Sequence, residues 1–316
     1  MAAKGLIILT SVLAAVLSVY AEEPENLVGA SIAAPYKYPF IVSIRINGYH
    51  HCGGSIISSK VILTAGHCVE PSTVRSPGTT VTVVSGSNYL NGGGNVHYPQ
   101  YFFVHPYYRL SAGSRQSFDY QYDIGAILLK SPIRFSYAQR EIALPVGPPP
   151  PMNSQLKVIG WGGMNMRRQI PNELRELDTY LVDNEACKRY LYSVTQKQIC
   201  TFRNYYKGIC EGDSGGPLVY NNRIIGIASA SVNCASQGYP DIFTNETFKI
   251  KKYKLLYSET SIHQLMQLSI LCLSVVVYSS VNFLISQQNQ LECLTPPRFI
   301  CVTRAKPLHS LFYHLI

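Results

Sequence analysis

Charge is scarce in this chain. Only 14% of its 316 residues are Asp, Glu, Lys or Arg, against 47% hydrophobic. That balance excludes a disordered polypeptide, because apolar surface is plentiful and charge repulsion weak. Glycine (23) and proline (19) are too few for collagen or a low-complexity chain. No CxxC pair and no HExxH motif occurs, so the common zinc signatures are missing. No Lys/Arg-rich run with interleaved aromatics appears in the body of the chain. The net charge of +9 is therefore not a nucleic-acid footprint. There is no internal repeat of obvious period. What remains has the length for one large domain or two small ones, with a real core. Nine cysteines are present, an odd number, so at least one thiol lacks an intrachain partner if the others pair.

The chain divides into unlike parts. Met1–Ala21 reads as a secretory signal: Lys4 supplies the positive end, an apolar stretch follows, and Val19-Tyr20-Ala21 resembles a small-residue cleavage site. Its removal delivers the chain to an oxidising compartment outside the cell, where cysteines pair. From Leu27 to Phe243, short apolar runs alternate with turn clusters. Residues 39–46, 61–65, 81–84, 124–129, 156–159, 217–220 and 224–228 are predicted strands, and Asn47-Gly48 marks a turn. Many short strands with little helical periodicity predict an all-β barrel or sandwich. Pro148–Pro151 is too short for a domain linker and reads as an extended connection inside the fold.

Three local motifs carry chemistry. Thr64-Ala65-Gly66-His67-Cys68 follows a strand. Asp123 opens the apolar strand Ile124–Leu129. Gly212-Asp213-Ser214-Gly215-Gly216-Pro217 presents a serine among glycines. A serine hydroxyl is a weak nucleophile until a base takes its proton, and an imidazole titrates in the right range to do so. A buried carboxylate fixes the imidazole tautomer, and glycines let backbone N–H groups approach a developing oxyanion. With these motifs in the order His67, Asp123, Ser214, the sequence resembles the trypsin–chymotrypsin family of serine endopeptidases over Leu27–Thr247; the family's triad is a standard worked case.

The resemblance implies two antiparallel six-stranded β-barrels, peptide or protein substrates and no cofactor or metal. It makes His67 the general base, Asp123 its orienter and Ser214 the nucleophile. The N–H groups of Gly212 and Ser214 would form the oxyanion hole. It pairs Cys52 with Cys68, Cys187 with Cys200, and Cys210 with Cys234. Gly160-Trp161-Gly162 matches a family strand motif, so the single tryptophan is structural. Family members mature by cleavage, which here places Leu27 at the new terminus after a propeptide of residues 22–26. The Leu27 amine would pair with Asp213, a switch because a buried charge is costly without its partner. Asn26 precedes that terminus, so the activating protease is of non-tryptic specificity.

Pocket positions follow from the same resemblance. Gly208 stands where trypsins carry Asp, Ile209 would narrow or grease the wall, and Ser231 replaces a usual Gly. Ser229 would lie beside the bound substrate backbone, and Ala230 replaces an aromatic platform. Asp241 occupies a second wall position where Gly is common. A buried carboxylate there needs a partner or a proton, or turns away to backbone donors. The implied specificity is chymotrypsin-like or mixed, similar to arthropod collagenolytic members. The rival from another class is a non-catalytic homologue acting as a binding or regulatory protein, motivated by the atypical activation site and the lost family C-terminus.

The match fades near Phe243-Thr244-Asn245. Residues 248–316 form an atypical tail holding Cys272, Cys293 and Cys301, and its basic excess is large for its length. Ile250, Tyr253, Leu256 and Tyr257 have helical spacing. Ile262–Leu291 carries no Asp, Glu, Lys or Arg, and residues 265–285 are long enough to span a bilayer. Three readings stay open for the tail: a gene model that reads past the true exon, a membrane anchor, or a soluble extension. Asn245-Glu246-Thr247 matches a glycosylation acceptor.

Overall fold

The computed structural model describes residues 30–108, 121–163, 169–189, 194–204, 207–231, 234 and 239–245. The expected signal, the propeptide, Leu27 and the tail from 248 onward lie outside the described residues.

Among the described residues fourteen strands fall into two sheets, and every strand pairing is antiparallel. The first holds β2 (Ile41–Ile46), β3 (Tyr49–Ile56), β4 (Val61–Thr64), β5 (Val81–Ser85), β6 (Asn95–His97), β7 (Pro99–Val104) and β8 (Gly125–Leu129), in the order β6-β5-β2-β3-β4-β8-β7. Tyr98 alone separates β6 from β7. One run of chain thus pairs with β5 by its first part and with β8 by its second, which curls the sheet shut. The second sheet holds β1 (Ser31–Ile32), β9 (Gln155–Gly160), β10 (Arg175–Val182), β11 (Gln198–Phe202), β12 (Pro217–Tyr220), β13 (Arg223–Ala230) and β14 (Asp241–Asn245). Its order is β1-β10-β11-β14-β13-β12-β9, and β9 pairs back onto β10. Six strands close into a barrel, and β1 is a seventh strand laid on its outside. Closure of the six strands removes their sheet edges.

The turns are those the sequence dictates. Ile46 pairs with Tyr49 across Asn47-Gly48, and both turn residues have positive φ (52° and 86°), the two-residue hairpin whose twist matches its strands. Asn221 and Asn222 (46° and 58°) do the same between β12 and β13. Pro148–Pro151 has no regular structure and lies on the crossing from β8 to β9, between the barrels.

Each barrel has its own core. Val42, Ile44, Ile56, Ile62, Val83, Ile127 and Leu129 are buried in the first. Leu156, Val158, Leu177, Ile199, Leu218, Ile225 and Phe243 cluster in the second. Burying each such side chain stabilises the fold by about 1.5–3 kcal/mol. Among the described residues helix is confined to short pieces, α1 (Pro71–Val74) and α2 (Asn184–Lys188); the Asp183 carboxylate caps α2 by accepting the Glu185 N–H at 3.0 Å. Among the described residues no helix is long and apolar enough to cross a membrane.

The barrels touch where β3 meets the chain leading into β12. The Gly53 N–H donates to the Ser214 carbonyl at 2.8 Å. A Cβ on Gly53 would stand only 3.1 Å from the Gly216 Cα, so a side chain there would crowd the approach of the two barrels.

Candidate active site

Asp123 is wholly buried just ahead of β8, and its carboxylate is saturated with donors. Oδ1 accepts the His67 backbone N–H at 2.9 Å, and Oδ2 accepts His67 Nδ1–H at 2.8 Å. The Ser229 hydroxyl donates to the same Oδ2 at 2.6 Å. A carboxylate only accepts, so Nδ1 carries the proton and the neutral ring presents its Nε2 lone pair away from Asp123. Burial alone would lower the His67 pKa. The Asp123 charge and hydrogen bond, with a smaller contribution from the Glu70 charge, outweigh burial and hold it above its ordinary value.

These side chains come from different barrels. His67 follows β4 and Asp123 precedes β8, both in the first barrel, whereas Ser229 belongs to β13 in the second. The Thr244 hydroxyl of β14 donates to the Asp123 carbonyl at 2.9 Å and ties the barrels at the same point. Ser229 reaches across because β13 bulges there. Ala228 pairs with Phe243 and Ala230 with Ile242, leaving Ser229 as the extra residue. Bulges re-aim side chains in this way beside functional sites.

Ser214 is half-exposed and strapped from both sides. Its carbonyl takes the Gly53 N–H of β3, and the next N–H, of Gly215, donates to the Ala228 carbonyl of β13 at 2.8 Å. Gly215 has φ 79°, and a Cβ there would stand 2.6 Å from the Gly53 oxygen and 3.1 Å from the Ala65 nitrogen. The serine loop is therefore pressed against the chain two residues before His67. Among the described residues no hydrogen bond joins the Ser214 hydroxyl to the His67 ring. Such bonds are commonly long in unliganded sites and tighten with substrate.

The flanks of the loop are set by two buried groups. Asp213 accepts the N–H groups of Gly162 (2.8 Å) and Cys210 (3.0 Å). Burial pushes its pKa up to about 7, and those two N–H donors pull back only part of the way. Gly162 is obligatory, because any Cβ there would overlap the Asp213 carboxylate. His50 Nε2 lies 3.0 Å from the Gly212 carbonyl, and Nδ1 lies 2.9 Å from the Ser43 hydroxyl. A carbonyl only accepts, so Nε2 is the donor and Ser43 donates to Nδ1. Burial holds His50 neutral, with its pKa lowered to about 4, and its ring stacks edge-on against Trp161. His50 and Thr244 position the site, yet neither sits in a motif. The one sequence signal is that His50 lies two residues before Cys52.

The residues that the resemblance assigns to a substrate pocket lie on the second barrel. Gly208 is buried, Ser231 half-buried beyond the end of β13, and Asp241 opens β14 at 3% exposure. Asp241 Oδ2 accepts the Ile209 N–H at 3.0 Å, while Oδ1 is buried with no partner among the described residues. Burial raises its pKa well above the usual carboxylate range, and the nearby Asp213 charge adds to the rise. Ile209 is 3% exposed and packs with Leu177, Ile199 and Phe243 in the barrel core, and its N–H serves Asp241.

Three disulfides brace the arrangement: Cys52–Cys68, Cys187–Cys200 and Cys210–Cys234. The first joins the residue before Gly53 to the residue after His67. The sulfurs of Cys52 and Cys68 and a His67 nitrogen lie within 4.8 Å of one another. The sulfurs are bonded to each other, so they offer no thiolate to a metal.

Known proteins repeat this architecture. The family model described as Trypsin matches residues 27–252. Chymotrypsin-2 of Vespa crabro is 36% identical over 218 residues, covering 69% of this chain and 94% of that one. Hypodermin-A of Hypoderma lineatum is 30% identical over 234 residues, covering 72% and 86%. Neuropsin, a serine protease expressed in the limbic system of mouse brain, superposes with TM-score 0.64 at 24% identity over 72% of this chain and 99% of that one, which speaks to the fold. With a family match spanning both barrels and relatives of this identity, the chain belongs to the trypsin family and is a serine endopeptidase.

Proposed function

We propose that His67, Asp123 and Ser214 form the catalytic triad of a secreted enzyme matured at Leu27. The observation that carries this reading is the hydrogen-bonded chain Ser229–Asp123–His67 beside a serine loop strapped to both barrels. In the reaction, His67 Nε2 takes the Ser214 proton as Oγ attacks the scissile carbonyl. The Gly212 and Ser214 N–H groups receive the oxyanion, and the imidazolium then protonates the leaving amine. Water repeats the sequence to release the acid. Asp123 offsets the charge on the imidazolium throughout. His50 supports the oxyanion loop by holding the Gly212 carbonyl.

Gly208, Ser231 and Asp241 line the specificity pocket. With Gly208 in place of an acid, the carboxyl among these residues is Asp241, one oxygen of which is unpartnered among the described residues. Burial raises its pKa well above the usual carboxylate range and so favours the neutral form, which suits Tyr, Phe and Leu side chains. A Lys or Arg side chain would supply the counter-charge that ionises it. The specificity is therefore mixed, with the apolar class favoured.

A serine-directed phosphonate tests the triad. The chain cleaved before Leu27 is expected to become covalently labelled, and Ser214→Ala and His67→Ala chains are not. Asn26 ahead of the cleavage point favours the rival reading, a non-catalytic binding protein. Absence of labelling on folded material with Leu27 at its terminus would establish that rival instead.

A further inference from the structure

His51 lies beside the site, and none of the roles above uses it. It is the extra residue of a bulge in β3: Cys52 pairs with Ile44 and His50 with Arg45, so His51 has no partner across the sheet. It immediately precedes Cys52, whose disulfide partner Cys68 immediately follows His67. The two imidazoles thus flank one disulfide, close enough for the His67 charge to act on His51. His51 Nε2 is shut off from solvent with no hydrogen-bond partner, although the residue as a whole is only half-buried. An occluded, unpaired nitrogen is costly in that position, so the ring gains by turning to a partner.

The geometry also says which part of a substrate meets it. Ser214 is held between β13 on one side and β3 on the other. The pocket residues Gly208, Ser231 and Asp241 belong to the β13 side. A peptide whose acyl portion runs along β13 and crosses Ser214 must run its leaving portion along β3, past His51. The bulge in β13 aims Ser229 at Asp123; the bulge in β3 sets His51 beside His67.

We propose that His51 is a specificity-determining residue for the leaving side of the substrate, and that it selects a carboxylate side chain, Asp or Glu, within two residues after the cut bond. Rotation of the half-buried ring brings Nε2 to the open edge, where Nε2–H donates to the carboxylate. A carboxylate at that point also faces the imidazolium that His67 becomes during bond cleavage, which no neutral side chain would stabilise. This inference rests on the proposed triad.

The test uses internally quenched peptides with one fixed acyl-side sequence. The two residues after the cut are varied among Glu, Asp, Ala, Leu and Lys. The expected result is a kcat/KM for Glu or Asp peptides about tenfold above that for Ala, the value of one hydrogen bond to a charged group. In His51→Phe the ratio of Glu to Ala falls to about one, and His51→Gln, which keeps a donor, retains part of it. A wild-type enzyme indifferent to the acid, or a His51→Phe enzyme that keeps the preference, would overturn the proposal. If His51→Phe does not fold, the wild-type profile and His51→Gln decide. Failure of the triad reading looks different: wild-type chain with Leu27 at its terminus would neither label with phosphonate nor cleave any peptide of the set.

Discussion

Asp213→Asn, read against pH, probes the site most directly. The Asp213 carboxylate is 1% exposed and holds two backbone N–H groups, and burial takes its pKa from 3.8 to about 7. The folded chain therefore binds this proton more tightly than the unfolded chain. As pH rises from the unfolded value through the folded one, folding loses stability, because an uncompensated charge must be kept buried. The full loss is about 4 kcal/mol, three pKa units at roughly 1.4 kcal/mol each. Asp241 works in the same direction, since the Asp213 charge raises its pKa and the Asn variant relieves it. The assay is urea unfolding of the chain that still carries residues ahead of Leu27, from about pH 4 to about pH 7.5. Wild type should lose about 4 kcal/mol relative to Asp213→Asn over that interval. After cleavage before Leu27, the freed amine supplies a counter-charge, and the gap should close or reverse. Parallel pH curves for the two uncleaved proteins would refute the reasoning.

Four further outcomes follow. Gly215→Ala forces a side chain into the Gly53 and Ala65 backbone at φ 79°, and should cost about 2–3 kcal/mol in denaturant unfolding together with most peptidase activity. With His67 as the proposed general base, kcat/KM should rise as pH climbs through its raised pKa. Glu70→Gln removes one of the charges that raise it and should move that limb to lower pH. Replacing Cys210 and Cys234 by Ser opens a loop of sequence separation 24 and should lower stability by about 3 kcal/mol by loop entropy, measured in urea. In wild type, cleavage after Lys relative to Leu should increase with pH as Asp241 ionises; Asp241→Gly should abolish Lys cleavage and leave Leu cleavage dominant.

The legible strands were those with continuous apolar runs: β2, β4, β5, β8, β9, β12 and β13 all fall within a residue or two of the runs that announce them. β3, by contrast, reads Tyr-His-His-Cys-Gly-Gly-Ser-Ile, and β14 opens on Asp. Neither has a pattern that marks a strand. They form because their neighbours in the barrels demand a partner, a requirement that arises only once the sheets close. The same holds for Ile209, which lies outside any strand yet packs in the second barrel's core with Leu177, Ile199 and Phe243.

The chain by itself determined the chemistry available: one serine among glycines, one histidine and one aspartate at strand ends, and six cysteines in the part that resembles a protease. Those are local facts, and local motifs carry them. Tertiary structure alone decided the rest. It put two β-bulges at Ser229 and His51, pressed Gly53 against Gly216, buried Asp213 on two backbone N–H groups, and left one oxygen of Asp241 unpaired among the described residues. Bulge position, burial and hydrogen-bond completeness depend on which distant strands pair and in what register. That register is set by the closure of each barrel around its own core, not by any short stretch of sequence.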